Sequence, residues 1–137
     1  MSEADAPARV AGLLARDEAA LAAGIEFVSV EQGRVELRMT ARRDMGNGHA
    51  IVHGGWLFLL ADTAFAYVVA SGGETGVTVS ADISFHAPAR VGEVVNATAV
   101  LEHRAGATVL VDVVVSTGDG SRVASSRITG RILRDSV

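Results

Sequence analysis

The feature that most constrains the fold is the segment GGWLFLLADTAFAYVVAS, residues 54–71, in which Asp62 is the only charged side chain. Its apolar residues fall on every side of a helix. In a soluble protein such a helix has to be enclosed by other elements. We therefore expect a buried core helix over 54–71, ended by the stop signal Ser71-Gly72-Gly73.

The same segment is about long enough to suggest a membrane span. However, a carboxylate at mid-membrane is costly, the segment follows His53 and opens with two glycines, and no basic residue flanks its C-terminal side. We therefore predict that this helix does not enter a membrane.

The rest of the sequence predicts one more helix and a series of strands. Residues 6–23 predict an alanine-rich helix with one apolar stripe. Alternating apolar positions predict a hairpin that turns at Gln32-Gly33, and a polar loop follows over 41–53. After the core helix, four strands are predicted, over 77–86, 91–103, 108–117 and 122–133.

In the first strand after the core helix, side chains of two predicted faces alternate strictly along the sequence. Its apolar face is predicted to carry Val77, Val79, Ala81, Ile83 and Phe85. Its other face is predicted to carry Thr78, Ser80, Asp82, Ser84 and His86.

The order α-β-β-α-β-β-β-β predicts a single α+β domain over residues 1–137. A five- to six-stranded antiparallel sheet with one apolar face can curl around a helix that is apolar on all sides. A long central helix wrapped by such a curved sheet is the hotdog fold, which is our predicted architecture.

Charge and composition exclude several classes of function. The net charge of −4 and the pI of about 5.5 argue against a nucleic-acid partner. Because the chain has no cysteine, it has no thiol nucleophile, disulfide or zinc-thiolate site. The N-terminal stretch MSEADAPARV lacks a signal-peptide pattern, so we expect a cytoplasmic protein.

Asp62 is an unusual residue for the middle of an apolar helix. It lies too far from the helix start to cap it, and its helical neighbours offer no partner, since they are Phe58, Leu59, Phe65 and Ala66. One interpretation is a buried acid that a nearby hydroxyl, amide or water satisfies. The other is a general base or nucleophile.

The helix begins with Gly54-Gly55, whose N–H groups are open to close approach at the positive end of the helix dipole. Such donors suit an oxyanion, although a plain loop-to-helix junction also explains two glycines. Gly54 and Asp62 lie roughly 12 Å apart along one helix, whereas one carbonyl needs both within about 3 Å. This distance predicts a two-fold dimer with sites shared across its interface.

The segment N47-G-H-A-I-V-H53-G-G-W-L-F-L-L-A-D62-T-A-F-A-Y67 resembles the signature of hotdog-fold acyl-CoA thioesterases, and is most similar to the PaaI type that acts in phenylacetate degradation. The segment D82-I-S-F-H-A-P88 extends the likeness more weakly. The resemblance implies hydrolysis of phenylacetyl-CoA and hydroxylated phenylacetyl-CoAs to the free acid and CoA, and a thioesterase for a different aryl- or acyl-CoA is the alternative. It also implies a homotetramer built as a dimer of dimers.

The resemblance also implies a role for each site residue. Asp62 would activate water or attack the thioester, and Gly54 would supply an oxyanion-hole amide. Asn47 would bind near the thioester carbonyl or orient the water, although Asn-Gly is also a turn signal. His53 would position the thioester end. Thr78, with Ser80 as the next choice, would lie near the attacking water.

The substrate-binding residues are less readable from the sequence. Gly55 and Phe58 are candidates beside the thioester and acyl group, and Tyr67 or the helix neighbours of Asp62 are further possibilities for the acyl pocket. Arg42, Arg43 and Arg90 could bind CoA phosphates through bidentate hydrogen bonds, or could be inert surface arginines. No cofactor is expected, because the CoA thioester is the substrate.

Three other interpretations of the sequence are a metal site, a dehydratase and a sensor. His49, His53 and Asp62 suggest a metal site, but the histidines lie in a glycine-rich loop, so no metal is expected. A hotdog dehydratase would carry Asp-x-x-x-x-His, and Tyr67 occupies the histidine position. A non-catalytic acyl-CoA sensor normally carries a DNA-binding or effector segment, for which the sequence shows no candidate.

Overall fold

The computed structural model describes residues 5–134. Two short helices, α1 (Ala6–Leu14) and α2 (Glu18–Ala22), precede the hairpin of β1 (Glu26–Glu31) and β2 (Arg34–Thr40). A 3-10 turn (Arg43–Met45) leads into the long helix α3 (Gly54–Ser71). Four strands complete the chain, β3 (Thr75–Phe85), β4 (Val94–Ala105), β5 (Thr108–Thr117) and β6 (Arg122–Leu133).

All six strands form one antiparallel sheet in the order β1-β2-β4-β5-β6-β3. The core lies between α3 and the sheet, and its buried side chains include Leu37, Met39, Leu60, Phe65, Val113 and Ile128. By length and hydropathy α3 would also qualify as a membrane span, but 61% of it is buried inside the protein. The predicted hotdog fold, a central helix packed against a six-stranded antiparallel sheet, is confirmed.

The predicted single helix over 6–23 is in fact two helices, α1 and α2. Asp17 ends the continuity, because its Oδ1 accepts a hydrogen bond from the N–H of Ala20 and so caps α2. Its Oδ2 accepts a hydrogen bond from the hydroxyl of Tyr67 on α3. This tertiary contact fixes the break between the two helices above the core helix.

Strand β3 contains a β-bulge that alternation did not predict. Thr78 pairs with Gly130 of β6 and Ser80 pairs with Thr129, so Val79 is an extra residue between them. A bulge of one residue reverses which side chains face each side of the sheet.

The predicted faces of β3 are therefore wrong across the bulge. Thr78 lies on the side that faces α3, together with Ala81, Ile83 and Phe85. Val77 lies on the opposite side, with Ser80, Asp82 and Ser84. Val79 itself is 63% exposed. The bulge is thus what turns a hydroxyl toward the core helix.

Gly130, opposite Thr78, is a position where the fold requires glycine. A Cβ there would collide with the ring of Phe65 on α3 and would lie 2.9 Å from the carbonyl oxygen of Val77. We predict that Gly130→Ala destabilises the protein by about 1–3 kcal/mol, because the backbone of Val77 cannot move aside cheaply. Urea unfolding measures this change. The control is Gly118→Ala, whose Cβ would meet nothing within 4 Å, and an equal loss in both variants would contradict the prediction.

Candidate active site

Asp62 projects from a half-buried strip of α3 that lies beside β3. The hydroxyl of Thr78 donates a hydrogen bond of 2.5 Å to Asp62 Oδ1. Within residues 5–134, neither carboxylate oxygen receives another hydrogen bond or a salt bridge. The hydroxyl partner satisfies one oxygen and orients the group, and the other oxygen is available to act on a substrate or a water.

The bulge in β3 decides which hydroxyl meets Asp62. Thr78 precedes the bulge and faces the helix, whereas Ser80 follows it and faces the outer side of the sheet. The two alternatives that the sequence left open are thus separated by geometry, and Thr78 is the residue in contact.

The start of α3 offers backbone donors. His53 is the N-cap, with φ −59° and ψ 137° and no capping hydrogen bond from its side chain. Its N–H donates to the carbonyl of Met45, which ties the helix start to the preceding turn. The N–H groups of Gly54 and Gly55 belong to the first turn, where no acceptor exists within the helix. They are therefore suited to bind an oxyanion.

Phe85, at the end of β3, packs directly on Gly54. A Cβ at Gly54 would lie 2.8 Å from Phe85 Cζ, whereas one at Gly55 would meet nothing within 4 Å. Gly54 and Phe85 line an open pocket of about 470 Å³ together with residues 51–52, Leu57 and residues 86–89. From the sequence, Phe85 is only one residue of an apolar strand face and of the segment D82-I-S-F-H-A-P88, and it is not a candidate site residue.

Asn47 organises the loop before the helix. Its Oδ1 accepts hydrogen bonds from the N–H groups of His49 and Ile51, which is the turn role that Asn-Gly suggests. Its Nδ2 has no acceptor within residues 5–134. The same turn holds Ala50 at φ 60°, a left-handed conformation that is strained for alanine. Asn47 therefore combines a structural oxygen with a free amide donor.

The three candidate arginines differ in their surroundings. Arg42 donates to both carboxylate oxygens of Asp44 and to the carbonyl of Ala22, and lies over the Trp56 ring. The Arg42 guanidinium holds the pKa of Asp44 below its usual range. The side chains of Arg43 and Arg90 are exposed and have no partner within residues 5–134. Only the latter two are thus free to meet a phosphate without breaking an existing contact.

Two aromatic residues of α3 also differ in role. Phe58, one helical turn before Asp62, is half-buried and faces the same strip. Tyr67 is fully buried. Burial, and then the neighbouring carboxylate of Asp17, raise the pKa of the Tyr67 phenol. Tyr67 therefore anchors the junction of α1 and α2, and Phe58 is the better placed of the two to touch a substrate at Asp62.

The histidines do not gather around Asp62. Across residues 5–134 the structure brings together no group of three His, Asp or Glu side chains that could hold a metal ion. His49 lies in the exposed turn organised by Asn47, and His53 is exposed at the helix N-cap.

Comparisons of the sequence with known proteins find thioesterases. Residues 49–124 match the family model of the thioesterase superfamily. The acyl-coenzyme A thioesterase PaaI of Escherichia coli K12 is 38% identical over 121 residues, which are 85% of this chain and 86% of that protein.

Comparison with solved structures also finds a PaaI protein. The E. coli PaaI protein from the phenylacetic acid degradation operon superimposes with a TM-score of 0.93 at 32% identity, and the match covers 96% of both chains. A Streptococcus mutans UA159 protein solved with bound acetyl-CoA matches with a TM-score of 0.77 at 26% identity, over 80% of this chain and 88% of that one.

Proposed function

Since the chain belongs to the thioesterase superfamily and is a hydrolase of the PaaI-like acyl-CoA thioesterases, we propose that its substrates are aryl-acetyl-CoA thioesters. Phenylacetyl-CoA and its hydroxylated forms would be cleaved to the free acid and CoA, in phenylacetate catabolism. The observation that carries the proposal is the Asp62 carboxylate, oriented by Thr78 on a half-exposed face of an otherwise apolar helix.

In this mechanism the thioester carbonyl oxygen accepts a hydrogen bond from the N–H of Gly54. Asp62 takes a proton from a water as that water attacks the carbonyl carbon. The C–S bond then breaks, and the CoA thiolate takes up the proton. Direct attack by the carboxylate, followed by hydrolysis of the anhydride, is the alternative route. The free amide of Asn47 and the N-cap His53 hold the carbonyl and the water in place.

One chain cannot assemble this site alone, because Gly54 and Asp62 lie roughly 12 Å apart along α3. The active form in this proposal is a homodimer in which Gly54 of one chain meets Asp62 of the other. The unpaired edge strand β3 supports this arrangement, because Val77, Val79 and Phe85 are exposed along it and its Thr78 contacts Asp62. An exposed apolar edge of this kind is typical of an interface.

The proposal has three further features, and the first of them comes from the resemblance. Pairs of dimers would form a homotetramer, and the protein would be cytoplasmic. Arg43 and Arg90 would bind CoA phosphates, since their guanidinium groups have no competing partner within residues 5–134.

A substitution at Thr78 tests the orientation of the carboxylate. We expect Thr78→Val, which keeps the shape but removes the donor to Asp62, to lower kcat about 10- to 100-fold, because a hydrogen bond to a charged group is lost. Thr78→Ser keeps a hydroxyl and should retain most of the activity. Equal activity of the valine and wild-type proteins would show that Thr78 does not position the catalytic group.

The function itself is tested by thiol release from a panel of CoA thioesters. The proposal expects the highest kcat/KM for phenylacetyl-CoA and hydroxyphenylacetyl-CoA, with lower values for benzoyl-CoA and acetyl-CoA. A clear preference for short aliphatic thioesters would keep the acyl-CoA thioesterase activity but overturn the aryl-acetyl assignment.

A further inference from the structure

A groove runs along α3 on the side of Asp62 that leads toward the C-terminal end of the helix. It lies between α1, α3 and the start of β3, and its volume is about 480 Å³. Small-molecule sites generally have volumes of this order. Of the residues that line this groove, the sequence singles out only Ala66, as a helical neighbour of Asp62, and Gly73, in the stop signal.

The groove begins next to the catalytic carboxylate. Ala66, which forms part of its floor, is one helical turn after Asp62 and so lies on the same side of α3. Ala70 continues the floor one turn further on, and Thr75 and Gly76 of β3 form a side wall. Thr78, which orients Asp62, is two residues beyond Gly76 along the same strand. The floor and this wall therefore both lead away from the reacting centre.

The opposite wall is held in place by two contacts. Arg9 of α1 donates to the backbone carbonyls of Ala70 and Ser71 at the end of α3. Asp17, just after α1, accepts a hydrogen bond from Tyr67. These contacts hold the middle of α1 and the residue that follows it above α3, and Gly12 and Leu13 line the space between them.

The groove suits an uncharged group. Its two carboxylates are already bonded, Asp17 to Tyr67 and Glu74 to Arg104. Of its cations, Arg9 bonds the end of α3 through Nε and Nη2, and its buried Nη1 lies 3.9 Å from an Asp5 carboxylate oxygen without a hydrogen bond. Arg16 is exposed at the rim. The remaining floor and wall residues are small or apolar, and they leave room for a flat or branched group of moderate size.

We infer that this groove holds the acyl group of the substrate, and that Ala66 and Gly12 determine which acyl groups fit. The inference rests on the proposed function, because the thioester carbonyl has to lie at Asp62 for the acyl group to extend over Ala66. A larger side chain at either position would shorten the groove from the floor or from the wall.

The experiment compares acetyl-CoA, hexanoyl-CoA and phenylacetyl-CoA in Ala66→Leu and Gly12→Leu variants. We expect kcat/KM for the two larger substrates to fall at least about 10-fold relative to acetyl-CoA, because added methylenes exclude groups of similar volume. If Ala66→Leu does not fold, Gly12→Leu still tests the groove, since a Cβ at Gly12 meets nothing within 4 Å. Ala19→Leu adds the same group to an exposed helical site away from the groove and should leave the ratios unchanged.

Unchanged ratios in both groove variants, or an equal change in Ala19→Leu, would overturn the inference. A wild-type protein that hydrolyses hexanoyl-CoA but no aryl-acetyl-CoA would overturn only the proposed substrate, because the hexanoyl to acetyl ratio still reports on the groove.

Discussion

Asp62→Asn is expected to lower kcat for acyl-CoA hydrolysis about 10²- to 10⁴-fold, the range that a positioned general base contributes. The substitution removes the proton acceptor and keeps the volume. Asparagine also retains an oxygen that can accept the hydrogen bond from Thr78, so the local structure should persist. Thiol release under saturating substrate measures the effect, and thermal unfolding should show a Tm close to that of the wild type.

The matched control for this prediction is Asp82→Asn. Asp82 lies on β3, on the outer side of the sheet and opposite Arg127, away from Asp62 on α3. The activity of the Asp82→Asn variant should stay within about twofold of the wild type, because surface substitutions usually have small effects. Nearly full activity of Asp62→Asn would remove Asp62 from the mechanism.

The second large effect is expected from removal of a single N–H group at the start of α3. Gly54→Pro abolishes the N–H of Gly54 at the first helical position, where proline is well tolerated. The preceding His53 already has the extended φ and ψ that proline requires of its neighbour. We expect kcat to fall about 10²- to 10³-fold, as for other oxyanion-hole donors.

Gly54→Ala is the control for that substitution. Alanine places a similar Cβ against the Phe85 ring but keeps the N–H, so activity that alanine retains and proline loses is assigned to the donor and not to the Cβ contact. If both variants lose activity equally, the ring contact and not the N–H is responsible.

Mixed dimers test whether two chains share each site. When Asp62→Asn and Gly54→Pro subunits are unfolded, mixed in equal amounts and refolded, half of the dimers should contain one of each. Each mixed dimer keeps one intact site of two, so about one quarter of the wild-type activity should return. Mixtures that stay as inactive as the separate variants would show that Gly54 and Asp62 do not meet across an interface.

The sequence singled out the candidate site residues but left their surroundings open. Asp62 stood out because a carboxylate is costly inside an apolar helix, and the start of that helix stood out because two glycines leave its N–H groups accessible. The partner of Asp62 was less certain. Alternation alone placed Thr78 and Ser80 on the same face of β3, and an extra residue at Val79 separates them.

The sequence by itself determined the central helix, its bounds and the α+β class, because the periods of 3.6 and 2 residues are local properties of the chain. Only the tertiary structure decided the three features that depend on contacts between distant residues. Asp17, the local cap of α2, is held above α3 because Tyr67 bonds it, Thr78 turns toward Asp62 because β6 pairs around a bulge, and the groove over Ala66 exists because α1 docks on α3. Such contacts join residues far apart in sequence, and no local pattern encodes them.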